Sequence, residues 1–272
     1  MNNSQGNQAK IVRPAAVAGF FYPQNPEELE TAVRQYLAMV PAADGPAPKA
    51  VIAPHAGYIY SGLTAAYAYA SLHARRESIT RVILLGPAHR VYIKGLALSS
   101  ATHFSTPLGL IEIDQDAVVT LKNLPQVMTS DAAHQQEHSL EVQLPFLQCL
   151  LEKFTLVPLV VGEATAAEVA EILELLWGGP ETLIVISSDL SHYHEYATAR
   201  RIDSTTTRAI EDLHLEIIGP HQACGCRPVR GLLQVARTRH LQVKTLDMRN
   251  SGDTAGTHDR VVGYGAYAIM EH

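Results

Sequence analysis

Residues 82–89 read VILLGPAH, and two other stretches end in the same manner: VIAPH at residues 51–55 and IVISSDLSH at residues 184–192. Each begins as an unbroken apolar run too short for a helix, which is the pattern of a strand buried on both faces of a sheet. Each then closes on polar residues where an ordinary core strand would end in cheap turn residues: His55, His89, and Asp189 with His192. Ligands of open α/β sheets bind outside the carboxyl ends of the strands. One such histidine is ordinary loop punctuation. Three strands that end alike predict one shared crevice, provided they lie side by side and parallel.

The segments around these runs alternate between strand and helix. NPEELETAVRQYLAMV (25–40) carries a helix start, with Asn25 as N-cap, Pro26 in the first helical position and acids in the first turn. PAADGPAP (41–48) reads as a loop, and SGLTAAYAYASL (61–72) as a small-residue helix. GLALSS and LGLIEID are expected to pair as strands around ATHFSTP, with STPLG as a turn. HSLEVQLPFLQCLLEK (138–153) has helical spacing interrupted by Pro145. FTLVPLVVG, TAAEVAEILELLW, EYATARRIDSTTTRAIEDL, VRGLLQVART and VVGYGAYAIM continue the alternation as strand, helix, helix, helix and strand. The expectation is an α/β fold: one domain over residues 11–272, with a mixed, mostly parallel central sheet covered by helices on both faces, after a disordered tail over residues 1–10.

Composition narrows the function classes. The chain has 272 residues, 47% of them hydrophobic, enough for a substantial core. Its formal charge of −6 and lack of a basic run argue against nucleic acid and anionic membrane as partners. The polar start MNNSQGNQAK lacks the order of a secretory signal, and no apolar run reaches the roughly 18 residues of a membrane span. Three cysteines, Cys149, Cys224 and Cys226, do not make a disulfide framework. A soluble, reduced, cytoplasmic protein is expected.

Neutral imidazoles suit a metal, with the other polar residues around it. Asp189, Glu141, Cys224 and Cys226 are all candidates for a third ligand beside His55 and His89. ACGCRP (223–228) places Cys224 and Cys226 at an expected helix start, where the helix dipole favours a thiolate. EHSLEVQLPFL puts His138 and Glu141 three apart, on one face of a helix if it has begun there. Tyr58 and Tyr60 either line a pocket or pack, and packing is the commoner fate. No phosphate-binding glycine loop and no G-x-S-x-G elbow occurs.

Read in order, RPAAVAGFFYP, APHAGYIYSG, LLGPAH, TPLG, EHSLEVQLPFL, SSDLSHY, ACGCRP and GDTAGTHDRVVGYGAYA resemble the MEMO family, also called AmmeMemoRadiSam system protein B, from about residue 12 to the C-terminus. The resemblance implies a fold similar to the catalytic subunit of class III extradiol dioxygenases, whose non-haem iron is held by two histidines and a carboxylate. It implies His55, His89 and Cys224 as metal ligands, with iron(II) or copper ahead of zinc. Asp189 and His192, with His138 and Glu141, match positions that line the same pocket, and Tyr58 is placed there too. It further implies a small molecule or peptide as pocket ligand and a functional link to a radical-SAM protein.

Three functions follow. A redox metalloprotein with dioxygenase-like activity would use His192 as acid/base, because imidazole exchanges protons near neutral pH, and Asp189 to orient it. A thiolate in place of the carboxylate softens the site toward Cu(I). The alternatives are a non-catalytic metal- or peptide-binding module and a zinc-dependent hydrolase.

Overall fold

The structure is a computed structural model that describes residues 10–41 and 46–271. Apart from exposed Lys10, the tail expected to be disordered lies outside the described residues, as do residues 42–45 of the loop at 41–48.

Among the described residues twelve strands form one sheet: β1 (Val12–Arg13), β2 (Ala50–Ala53), β3 (Arg81–Pro87), β4 (Leu96–Leu98), β5 (His103–Thr106), β6 (Gly109–Ile113), β7 (Val127–Thr129), β8 (Thr155–Val161), β9 (Thr182–Ser187), β10 (His192–His194), β11 (Gln242–Asn250) and β12 (Val261–Met270). The helices are α1 (Pro26–Ala38), α2 (Tyr58–Ala70), α3 (Gln115–Leu121), α4 (Asp131–Gln135), α5 (Leu144–Leu150), α6 (Ala166–Leu175), α7 (Tyr196–Glu211) and α8 (Cys226–Thr238). The path through the sheet runs β1-β5-β6-β8-β3-β9-β2-β12-β10, with β11 paired to β12 and β4 to β7 and β8.

The three apolar runs occupy the middle of the sheet. β3 pairs with β9, and β9 with β2, all parallel, with Leu85 opposite Ile186 and Ile186 opposite Ile52. Every residue of β2 and β9, and all of β3 after Arg81, is buried. Burial on both faces requires a helical layer on each side, and this is why these strands read as continuous rather than alternating. Their carboxyl ends share one edge, and His55, His89 and Asp189 each lie two residues beyond the strand end. A single α/β domain results.

Local chemistry sets the helix starts. Asn25 Oδ1 accepts the Glu27 and Glu28 N–H groups at 2.9 and 3.1 Å, with Pro26 opening α1. Thr165 and Glu168 form a reciprocal cap on α6. Two expectations are corrected. GLALSS and LGLIEID do not pair: β4 joins β8 and β7, while β6 makes a hairpin with β5, which is the ATHFST segment itself. The short, polar composition of that segment hid a strand whose inward side chains are Phe104 and Thr106. The helix over 138–153 is shorter than its spacing suggests, while the break expected at Pro145 is present: a 3-10 turn, Glu141–Gln143, gives way to α5, in whose first turn Pro145 is tolerated. Among the described residues, no helix is long and apolar enough to cross a membrane.

Candidate metal centre

His55, His89 and His138 meet at the carboxyl edge of the central strands, and one nitrogen from each lies within 4.8 Å of the other two. The ring centroids are 5.2 Å apart for His55–His89, 5.4 Å for His55–His138 and 4.7 Å for His89–His138. Side-chain exposure rises from 2% at His55 to 16% at His138 and 28% at His89, so His55 is the floor and His89 the mouth. Phe21 packs on His138 with ring centroids 4.8 Å apart.

The imidazoles are anchored from behind. His89 Nδ1 lies 2.9 Å from Glu137 Oε1, and the His89 N–H donates to Glu137 Oε2 at 2.6 Å. Glu137 Oε1 also accepts the N–H groups of His138 and Ser139, both at 2.9 Å. Burial alone would raise this carboxyl, but the hydrogen bonds and charge of His89 outweigh it and bring Glu137 down to about 2. His55 Nδ1 lies 2.8 Å from Ser187 Oγ, and the His55 N–H donates to Asp189 Oδ1 at 2.7 Å. Burial first, then the neighbouring imidazoles, push His55 well below its usual range. Burial also lowers His138, against the opposing pull of Glu137. Both rings are therefore neutral at pH 7, the form that binds a metal.

Cys224 sits against the floor. Its Sγ is 3.3 Å from His55 Nε2 and accepts the Asp189 N–H at 3.3 Å. Burial, and then the Asp189 carboxylate, drive this thiol far up. The expected dipole-stabilised thiolate is overridden, because α8 begins only at Cys226 and the sulfur is enclosed beside an acid. Cys226 points into the hydrophobic core and is 3% exposed. Asp189 is buried, and burial raises its carboxyl; its Oδ2 lies 4.0 Å from His55 Nε2. His192, half-buried on β10, donates its Nδ1–H to the Leu190 carbonyl at 2.9 Å. Tyr193 beside it adopts a left-handed φ of 61°.

Two residues expected to line the pocket are committed elsewhere. The wholly buried Glu141 accepts from Arg13, from the N–H groups of Ala16 (2.7 Å) and Val17 (3.0 Å), and from Tyr22 Oη (2.5 Å). Tyr58 donates its hydroxyl to the Val142 carbonyl at 2.8 Å and packs on Phe146 and Tyr22. Both hold the N-terminal segment and α2 against the 137–146 region. The trio that closes contains His138 where the motif resemblance implies Cys224, and Cys224 stands directly behind it. Glu137 and Ser187, which orient two of the rings, escaped sequence reasoning. The only signal was their place inside EHSLE and SSDLSH.

Fold and site together define an α/β protein with a cluster of three histidines able to hold a metal at the carboxyl edge of its parallel strands. The chain belongs to the Memo-like protein family, whose profile matches residues 13–268. It is 37% identical over 268 residues to a MEMO1 family protein of Archaeoglobus fulgidus and 36% identical over 264 residues to one of Aquifex aeolicus. Each match covers 93% of this chain and 97% of the relative. MEMO1 family protein TV1383 of Thermoplasma volcanium is 33% identical with the same coverage. Among solved structures, that of uncharacterized protein JW3007 from Escherichia coli K12 covers 80% of this chain and 98% of its own at a TM-score of 0.49 and 13% identity.

Proposed function

We propose that this protein holds a redox-active metal, iron(II) or copper, at the His55, His89 and His138 cluster and uses it in oxidoreductase chemistry akin to that of the class III extradiol dioxygenases. The observation that carries the reading is the donor set: three imidazoles, two of them held neutral and two with Nδ1 anchored, converge within 4.8 Å. Imidazole suits iron, copper and zinc alike, and the Cys224 sulfur, 3.3 Å from His55 Nε2, would favour copper only where the bound ion displaces the thiol proton. When bound, such an ion would supply Lewis acidity and electron transfer at the mouth of the crevice.

The chain's own residues account for the rest. His55 is the buried floor of the site, and the half-buried Cys224 lies against it. In this reading His192 is the acid/base that would take a proton from a ligand hydroxyl and return it, with its Nδ1–H held by the Leu190 carbonyl. Asp189 ties the floor together through His55 N–H and Cys224. A small molecule or peptide is the ligand class this reading takes, and a radical-SAM protein its functional associate, both on the motif resemblance alone.

A zinc hydrolase is the second reading, supported by the entry of His138: three histidines and an open position are a catalytic zinc set. Elemental analysis of protein purified anaerobically separates the two, because redox-inert zinc would overturn the first. Oxygen uptake in the presence of a catechol or another reductant then separates turnover from a binding module. Cys224→Ser is expected to weaken copper or iron binding much more than Cys226→Ser, and equal losses in a metal titration would defeat the role given to Cys224.

A further inference from the structure

Behind His55 runs a chain of buried polar groups that the metal reading does not itself require. Tyr69 Oη lies 2.7 Å from Gln143 Oε1; Gln143 Nε2 lies 2.9 Å from the Pro54 carbonyl and 2.8 Å from Ser187 Oγ; Ser187 Oγ lies 2.6 Å from the Ser139 carbonyl and 2.8 Å from His55 Nδ1. Tyr69, Gln143 and Ser187 are all completely buried, so no bulk water offers an alternative partner.

The direction of every proton in this chain can be deduced. The Pro54 carbonyl only accepts, so Gln143 must present its amide NH2 there, and its oxygen therefore faces the Tyr69 hydroxyl. Both amide hydrogens are then used, one on Pro54 and one on Ser187. The Ser139 carbonyl also only accepts, so the single Ser187 hydroxyl hydrogen goes to it. Ser187 Oγ is left with one lone pair toward His55 Nδ1. That nitrogen must carry a proton, and in the neutral ring Nε2 is then bare.

We infer that Tyr69, Gln143 and Ser187 are positioning residues that lock His55 in the Nδ1–H tautomer, so that Nε2 alone is offered to a metal. The inference rests on the proposed metal site, and it gives that site a built-in polarity. Glu137 performs the same task for His89 by a carboxylate; Ser187 does it for His55 without adding a charge at the buried floor. The Cys224 sulfur faces His55 Nε2 at 3.3 Å, on the side the relay leaves unprotonated.

Nitrogen-15 NMR of histidine-labelled protein, with metal removed, reads the tautomer directly. The wild type is expected to carry its His55 proton on Nδ1. Ser187→Ala is expected to let the proton distribute onto Nε2 and to weaken metal binding by about 10–100-fold, the usual cost of losing an outer partner of a metal-binding histidine. Ser187→Thr, which keeps the hydroxyl, is expected to restore both. A wild-type proton on Nε2 overturns the inference whether or not any variant folds, and so does a folded Ser187→Ala with unchanged tautomer and affinity. A wild-type Nδ1–H with no metal uptake at all defeats the metal reading instead, so the two failures are distinguishable.

Discussion

Replacing Glu141 by glutamine should cost stability while leaving the imidazole cluster able to bind. The carboxylate accepts from four donors, all in residues 13–22, and is completely buried. Glutamine keeps one acceptor oxygen and turns an NH2 group against the donors on the other side. It also removes the counter-charge of Arg13, whose remaining partners are the carbonyls of His134 and Glu137. Removing one member of a buried ion pair typically costs about 3–5 kcal/mol. At roughly 2–4 °C per kcal/mol for a large domain, the melting temperature should fall by about 10 °C. Tyr22→Phe, which deletes one hydrogen bond to the same carboxylate, should cost about 2 kcal/mol. The assay pairs thermal or denaturant unfolding with metal stoichiometry of the folded protein. A Glu141→Gln variant that melts like the wild type but no longer binds metal would refute the structural role and return Glu141 to the pocket.

Further consequences can be checked separately. Glu137→Gln should weaken metal binding by about 10–100-fold by loosening His89, as read in a competition titration, and unchanged affinity would remove Glu137 from the site. Asp203 on α7 is buried and accepts the Ser191 N–H at 3.0 Å, and burial raises its carboxyl to about 6. Its folded-state pKa lies above the unfolded value of about 3.8, so its contribution is full below pH 3.8 and is lost as pH rises through about 6. Asp203→Asn should therefore gain stability relative to the wild type between pH 4 and pH 7, and denaturant midpoints that track each other across that window would count against it. Gly225 lies where an added Cβ would come within 2.6 Å of Ser188 Cβ and 2.7 Å of the Ser187 carbonyl. Gly225→Ala should push the start of α8, and Cys224 with it, off β9 at a cost of about 1–3 kcal/mol in denaturant unfolding.

How much of this was legible from residues alone follows a physical divide. β2, β3 and β9 announced themselves because strands buried on both faces need unbroken apolar runs, and their polar endings located the crevice. β5 was hidden because a hairpin strand near the edge needs only Phe104 and Thr106 inward, a pattern shared with loops. Glu141 and Glu137 look alike in sequence. Only the folded chain brings Arg13, Ala16, Val17 and Tyr22 to the first and His89 to the second, across about 120 and about 50 residues of chain respectively. The thiol of Cys224 was misjudged for a related reason: a helix start is visible in sequence, whereas enclosure beside Asp189 is not. Ser187 gave no sign of its task, since a serine after an apolar run is ordinary punctuation until Ser139 and Gln143 arrive from a distant segment.

The most direct test is an anaerobic metal titration of the purified chain beside its His55→Ala, His89→Ala and His138→Ala variants. One iron or copper ion per wild-type chain is expected, with variants that keep their fold while losing the ion. Variants that still bind metal as tightly as the wild type, or a wild type that takes up none, would contradict that expectation.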